Sequence, residues 1–67
     1  MSVAKVTELT ASSPKSFEDA MKEGLARANK TLRGVTGAWI KDHQVVMNRG
    51  KITEYRVRMK VTFVLTD

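Results

Sequence analysis

Residues 52–66 read ITEYRVRMKVTFVLT and alternate apolar with polar side chains. The apolar set is Tyr55, Val57, Met59, Val61, Phe63 and Leu65, and the polar set is Glu54, Arg56, Arg58, Lys60 and Thr62. Successive side chains of a strand point to opposite faces, so this pattern predicts a strand with one buried face. Such a strand is about 45 Å long, whereas a 20-residue helix covers only about 30 Å. Part of the apolar face therefore needs cover from neighbouring subunits.

A helical period precedes this strand. Apolar or small side chains recur three and four residues apart: Phe17, Ala20, Met21, Gly24, Leu25, Ala28 and Leu32. The spacing predicts an amphipathic helix from about Pro14 to Arg33. Ser13 is suited to cap it, and Ser16 with Asp19 offers a second start one turn later. Gly24 on the apolar stripe indicates either close approach of another element or a tolerated cost of about 1 kcal/mol.

Two further strand-like stretches complete the pattern, at Val3–Leu9 and Val35–Met47. Gly34 is placed to end the helix in a left-handed conformation, and Asn48-Arg49-Gly50 predicts a hairpin connection with Gly50 at positive φ. Both alternating sets of Val35–Met47 mix apolar and polar residues. Either its cover switches along the strand or it carries a β-bulge. The order β-α-β-β predicts an α+β fold, a three-stranded antiparallel sheet wrapped on one helix, with 1–67 as a single domain.

The chain is short, basic and free of cysteine. It has 67 residues, 12 Lys and Arg, 7 Asp and Glu, a net charge of +5 and one histidine. Chains below about 70–80 residues usually need disulfides, a metal or partner subunits, and the lack of cysteine removes disulfides and thiolate zinc sites. We therefore expect an oligomer in preference to a very well packed monomer. No apolar run approaches a membrane span and Met1–Lys5 lacks the core of a secretory signal, so we expect a cytoplasmic protein.

The sequence resembles the dodecin family over nearly its whole length. The resemblance rests on KVTEL at 5–9, ASS at 11–13, SFEDA at 16–20, GLARA at 24–28, TLR at 31–33, YRV at 55–57 and MKVTFVL at 59–65. Dodecins are small β-α-β-β proteins that assemble as hollow homododecamers and bind flavins. The resemblance thus implies a homododecamer and a site for riboflavin, FMN or FAD.

The resemblance places the family's flavin-stacking tryptophan at Gly37 and its ring-contacting glutamine at Arg56. A glycine cannot stack, and an arginine cannot accept hydrogen bonds. Trp39 would project from the same face as Gly37 on an unbroken strand and could reach the pocket, with Gly37 leaving room. Arg56 could stack on the ring or contact a flavin phosphate. We predict Gly37, Trp39 and Arg56 as the cofactor-binding residues, and packing at a subunit interface is the alternative role for Trp39.

The sequence contains no catalytic motif, so we predict non-enzymatic flavin storage. The alternative is a flavin-free homologue that serves as a reservoir for a CoA-like molecule or a cation, or as a structural shell. The basic side chains Arg56, Arg58 and Lys60 lie on one face of the predicted strand and suggest nucleic acid as a further alternative. No aromatic residue is expected to interleave on that face, which disfavours a single-strand platform and favours a small phosphate-bearing ligand. We expect the helix on the outside of the shell and the basic face toward its interior or a channel.

A metal site is not predicted within one chain. Symmetry could bring together copies of His43, or of Glu8, Asp42 and Glu54, because an axis turns one residue into a cluster. An ordinary polar surface histidine is the favoured interpretation of His43.

Overall fold

The computed structural model describes residues 3–65 as three strands and one helix. They are β1 at Val3–Ser13, α1 at Phe17–Thr31, β2 at Val35–Asn48 and β3 at Lys51–Leu65. β3 is the central strand, with β1 and β2 antiparallel on either side of it. The predicted β-α-β-β fold is confirmed, and residue 66 of the predicted last strand lies outside the described residues. Within 3–65, no helix is long and apolar enough to cross a bilayer.

The core lies between α1 and the apolar side of β3. Val57, Met59 and Val61 are fully buried there, and they meet Ala20 and Ala28 of the helix. Gly24 lets the helix approach the sheet, because an added Cβ would lie 2.8 Å from Ala11 Cβ and would also meet Met59 Cε. The predicted faces of helix and strand are both confirmed. Of the two interpretations of Gly24, close approach is correct.

The helix is shorter at both ends than the predicted Pro14–Arg33. Ser13 is the last residue of β1, and its hydroxyl donates to the Asp19 carboxylate (2.6 Å) and accepts from the Lys15 amide (3.0 Å). The cap is Ser16, whose Oγ accepts from the Asp19 amide at 3.0 Å, so the second predicted start is the real one.

The helix ends at Thr31 because Leu32 is already extended, with φ −112° and ψ 142°. Gly34 has the predicted positive φ, at 74°, but it lies two residues beyond the Leu32 cap, so the prediction that it ends the helix is wrong. Its carbonyl accepts from the Val64 amide at 2.9 Å, and a Cβ there would lie 2.8 Å from the Val64 carbonyl oxygen. A glycine is thus required where the chain turns back onto the sheet.

β1 runs four residues beyond the predicted Val3–Leu9. Its pairing with β3 continues without a register shift to Ser13, opposite Tyr55. Ala11 faces the helix opposite the buried Val57, so the extra residues contribute to the core.

β2 contains a bulge, one of the two explanations that its mixed pattern left open. Ile40 pairs with Met59 and Asp42 with Arg58, so Lys41 is an extra residue and the facing of β2 reverses there. Val35 faces the helix side opposite Phe63, and an earlier extra residue, Thr36, reverses the facing so that Ala38 and Ile40 face the helix. After Lys41 the odd residues face it. This reversal explains why neither alternating set is uniformly apolar.

The sheet is much longer than the helix that covers it. The subunit measures 52 × 19 × 13 Å, while 15 residues of helix span about 22 Å. Large apolar side chains are exposed, most of them toward the two ends of the sheet: Val3, Val6, Trp39, Val45, Met47, Ile52 and Leu65. Their exposure matches the expectation that the long strand needs cover from outside the subunit.

Candidate ligand-binding face

The sheet surface opposite α1 is here called the charged face. It carries the polar set of β3 with the residues paired to it in the flanking strands. On β2 these are Gly37, Trp39, Asp42, Gln44 and Val46, and on β1 they are Val6, Glu8, Thr10 and Ser12. The prediction that this face lacks an aromatic residue is wrong, because Trp39 lies opposite Lys60 on it. One aromatic residue is still far from the row of rings on which successive bases of a single strand stack.

Gly37 and Trp39 lie on the same face, as predicted. They pair with Thr62 and Lys60 with no register shift between them. Trp39 is 50% exposed, and nothing lies within 4 Å of the position that a Cβ of Gly37 would occupy. An exposed indole thus borders an open strip of backbone two residues along the strand, and a planar molecule can lie on the ring and extend over the glycine.

Two ion pairs join different strands on the rest of the charged face. Lys41, the extra residue of the β2 bulge, reaches across β3 to Glu8, with Nζ 3.2 Å from Oε1. Arg58 lies 3.8 Å from the Asp42 carboxylate. Each of these side chains is more than a third exposed, so the pairs contribute little to stability and mainly fix where charges sit.

Arg56 is on the charged face but away from Trp39. It lies four residues along β3 from Lys60, about 13 Å at 3.3 Å per residue. Its guanidinium binds Glu54 at 2.9 Å and it pairs with Gln44 across the strands. One subunit therefore brings Gly37 and Trp39 together and leaves Arg56 apart, and the ligand-binding role of all three stays a prediction.

The predicted cation candidates are separate within one subunit. Glu8, Asp42 and Glu54 each bind a different basic side chain. Among residues 3–65, no group of three or more His, Cys, Asp and Glu side chains could hold a metal ion. His43 lies on the helix side, opposite Val57, and packs its ring against Phe17 with centroids 4.7 Å apart. His43 is exposed, as the favoured interpretation predicts, whereas the contact of its ring with Phe17 was not predicted.

Lys60 is the neighbour of Trp39 that sequence reasoning missed. Its Nζ lies 6.0 Å from the indole centroid, about the outer limit of a cation–π contact. Counting outward from the two-residue turn Arg49–Gly50 would have placed the two residues opposite each other. β3 has one extra residue near Thr53 and β2 has one at Lys41. The two register shifts offset each other, so Trp39 lies opposite Lys60 as a simple count from the turn predicts.

A second feature lies on the helix side of β2. An open apolar groove of about 490 Å³ separates α1 from the first half of this strand. Met21, Leu25, Val35, Ala38 and Ile40 are among its lining residues. The groove lies where α1 does not cover β2.

The arrangement on the charged face is that of a binding protein: an exposed ring, an open strip beside it and a framework of fixed charges.

The sequence model of the Dodecin family matches residues 3–66. A dodecin from Thermus thermophilus is 34% identical over 65 residues, covering 97% of this chain and 94% of the relative. The calcium dodecin of Mycobacterium tuberculosis is 38% identical over 64 residues, covering 94% of this chain and 89% of that protein.

The solved structures agree with the sequence relatives. The crystal structure of an arginine-to-alanine mutant of T. thermophilus dodecin matches with a TM-score of 0.94 and 33% identity over 100% of both chains. The chain belongs to the dodecin family.

Proposed function

We propose that this chain is a subunit of a homododecameric shell that binds and stores flavin without catalysing a reaction. The observation that carries the proposal is the half-exposed Trp39 beside the open strip at Gly37. Family membership supports a small-ligand-binding shell. The flavin itself is supported by the ring geometry and by the family resemblance.

The physical basis is stacking on Trp39. Offset-stacked aromatic pairs contribute about 0.5–1.5 kcal/mol beyond the area that they bury. The isoalloxazine is wider than an indole, so it needs space beyond the ring, and Gly37 provides it. A copy related by a twofold axis would offer a second Trp39 to the other side of the ligand.

Titration with FMN tests the proposal directly. Trp39 is the only tryptophan, so its emission reports on this position alone. We expect FMN at tens of micromolar or below to quench Trp39 emission and to lose its own fluorescence. Trp39→Ala should weaken FMN binding about tenfold because the stacking partner is gone. Binding to this variant is measured by flavin emission.

Lys22→Ala is the control, since the Lys22 side chain is 70% exposed on the outer surface of α1 and lies away from Gly37. It should bind FMN like the parent protein. If Trp39 emission does not change with FMN, or if both variants weaken binding equally, stacking on Trp39 is excluded.

A cation-storing shell is the second candidate, favoured by the relationship to calcium dodecin. Against it, the three carboxylates of the charged face already bind basic side chains within one subunit. The same titration with calcium in place of FMN separates the two functions. A response to calcium and none to FMN would favour cation storage.

Nucleic acid is the least supported partner. Of the four basic side chains on the charged face, Lys41, Arg56 and Arg58 already bind carboxylates, and only one aromatic ring lies among them. Phosphate neutralisation along a polymer needs several uncommitted cations.

A further inference from the structure

Lys60 differs from the other basic side chains of the charged face. Lys41, Arg56 and Arg58 each lie within 4.0 Å of a carboxylate oxygen, whereas no such contact is found for Lys60 within residues 3–65. Glu8 is its direct partner across β1 and β3, but the Glu8 carboxylate is bound by Lys41 at 3.2 Å. The positive charge of Lys60 is therefore not neutralised by its cross-strand neighbour.

The position of Lys60 links that charge to the proposed ring platform. Lys60 pairs with Trp39, and its Nζ lies 6.0 Å from the indole centroid. Lys60 is partly buried, so its stem is held by the sheet, and its ammonium lies over the indole ring at the outer limit of a cation–π contact. A ligand that stacks on Trp39 would therefore meet this ammonium and place a substituent against it.

We propose that Lys60 determines specificity at this site by selecting planar aromatic ligands that carry a phosphate, and hence FMN over riboflavin. The inference rests on the proposed function, because it assumes that the ring stacks on Trp39. A phosphate accepts charge-assisted hydrogen bonds from an ammonium, whereas the neutral ribityl hydroxyls gain much less from it.

Lys41 supports this selection indirectly. Without the ion pair to Lys41, the Glu8 carboxylate would be free to bind Lys60 or to repel an incoming phosphate. The β-bulge that puts Lys41 on the charged face thereby leaves one cation available beside the only tryptophan. Lys41 is a positioning residue in this arrangement and does not touch the ligand.

The test compares FMN with riboflavin on the assembled protein, by the quenching of flavin fluorescence. We expect FMN to bind about fivefold to tenfold more tightly than riboflavin at low salt, and the difference to shrink as ionic strength rises. Lys60→Met keeps the stem and removes the charge. It should weaken FMN binding to the level of riboflavin and leave riboflavin binding unchanged.

Lys22→Met is the matched control, because Lys22 lies on the outer surface of α1 and pairs only with Glu18 among the described residues. It removes the same charge and should preserve the preference for FMN. Light scattering on all three proteins checks that assembly is unchanged.

The outcomes separate the two claims. If the parent protein binds both flavins equally and Lys60→Met alters neither, the specificity role is overturned while flavin binding stands. If Lys22→Met also abolishes the preference, net charge rather than Lys60 is responsible, and the inference is again overturned. If neither flavin binds the parent protein, the proposed function itself fails.

Discussion

At the scale of single residues, the proposed stacking residue is Trp39, whereas the family resemblance places the family's tryptophan at Gly37. The ring stands two positions further along β2, and a two-residue step keeps it on the charged face. That step also places the ring opposite Lys60. The displacement changes what a stacked ligand meets at its edge, which is why ligand preference is the most informative measurement on this protein.

Gly24 supports a prediction about packing. Replacing it with alanine adds a methyl group 2.8 Å from Ala11 Cβ and 3.3 Å from Leu9 Cδ1. Overpacking costs about 1–3 kcal/mol, which exceeds the gain of about 1 kcal/mol from helix propensity. We expect Gly24→Ala to lower the urea midpoint, measured at one fixed protein concentration.

Asn29→Ala is the control for helix propensity, because Asn29 is exposed in the same helix. It should raise the midpoint slightly. If Gly24→Ala raises the midpoint as much as Asn29→Ala does, the helix and sheet are not in the close contact described.

Much of the site can be predicted from the sequence at the level of single residues. The alternation of 52–66 assigns Arg56, Arg58 and Lys60 to one face, and strand geometry puts Gly37 and Trp39 together. The ion-pair partners of these basic side chains cannot be predicted from the sequence. Whether Glu8 binds Lys41 or Lys60 depends on a bulge that redirects one lysine, and no local pattern in the sequence positions that bulge.

At the scale of elements, the β2–β3 hairpin shows both the reach and the limit of sequence reasoning. The turn and the positive φ of Gly50 are predicted from Asn48-Arg49-Gly50 and confirmed, with φ 77°. The positive φ of Arg49, 55°, is not predicted. Asn48 pairs with Lys51, so Arg49 and Gly50 form a two-residue turn, and a type I′ turn needs positive φ at both positions.

The turn gives a second stability prediction. A left-handed conformation costs a side chain such as arginine about 1–2 kcal/mol, and asparagine adopts it more easily. Arg49→Asn should therefore raise the melting temperature by a few degrees. Arg49→Gln removes the same charge without the conformational preference, so it should leave the melting temperature nearly unchanged, and equal shifts in the two variants would contradict the explanation.

The helix start shows how competing local signals are decided. Ser13 and Ser16 are both good caps in sequence, and tertiary pairing chooses between them. Ser13 is used by β1, where it is buried and opposite Tyr55, so the helix begins after Ser16. A local pattern could offer both starts but could not rank them.

At the scale of the whole molecule, the mismatch between a long sheet and a short helix is the main structural fact. The subunit is 52 Å long, its sheet carries exposed apolar side chains toward both ends, and the groove beside Ala38 leaves further apolar surface uncovered. A chain of 67 residues has little stability to lose to such exposure. Copies of the same chain are the cover that family membership supports.

The corresponding prediction is that the purified protein is a single large species. Twelve copies of a 7.5 kDa chain give about 90 kDa, and light scattering should report that mass without a monomer peak.

Ala38→Asp places a charge in the groove of the isolated subunit, where Ala38 is exposed and a monomer would tolerate it. If a neighbouring copy covers the groove, the buried charge should shift the protein to smaller species, because an unpaired charge is costly to bury. Asn48→Asp introduces the same charge at the exposed turn and should leave the mass unchanged. A parent mass of one chain would rule out the shell. A 90 kDa mass for both variants would keep the shell and place its contacts elsewhere than this groove.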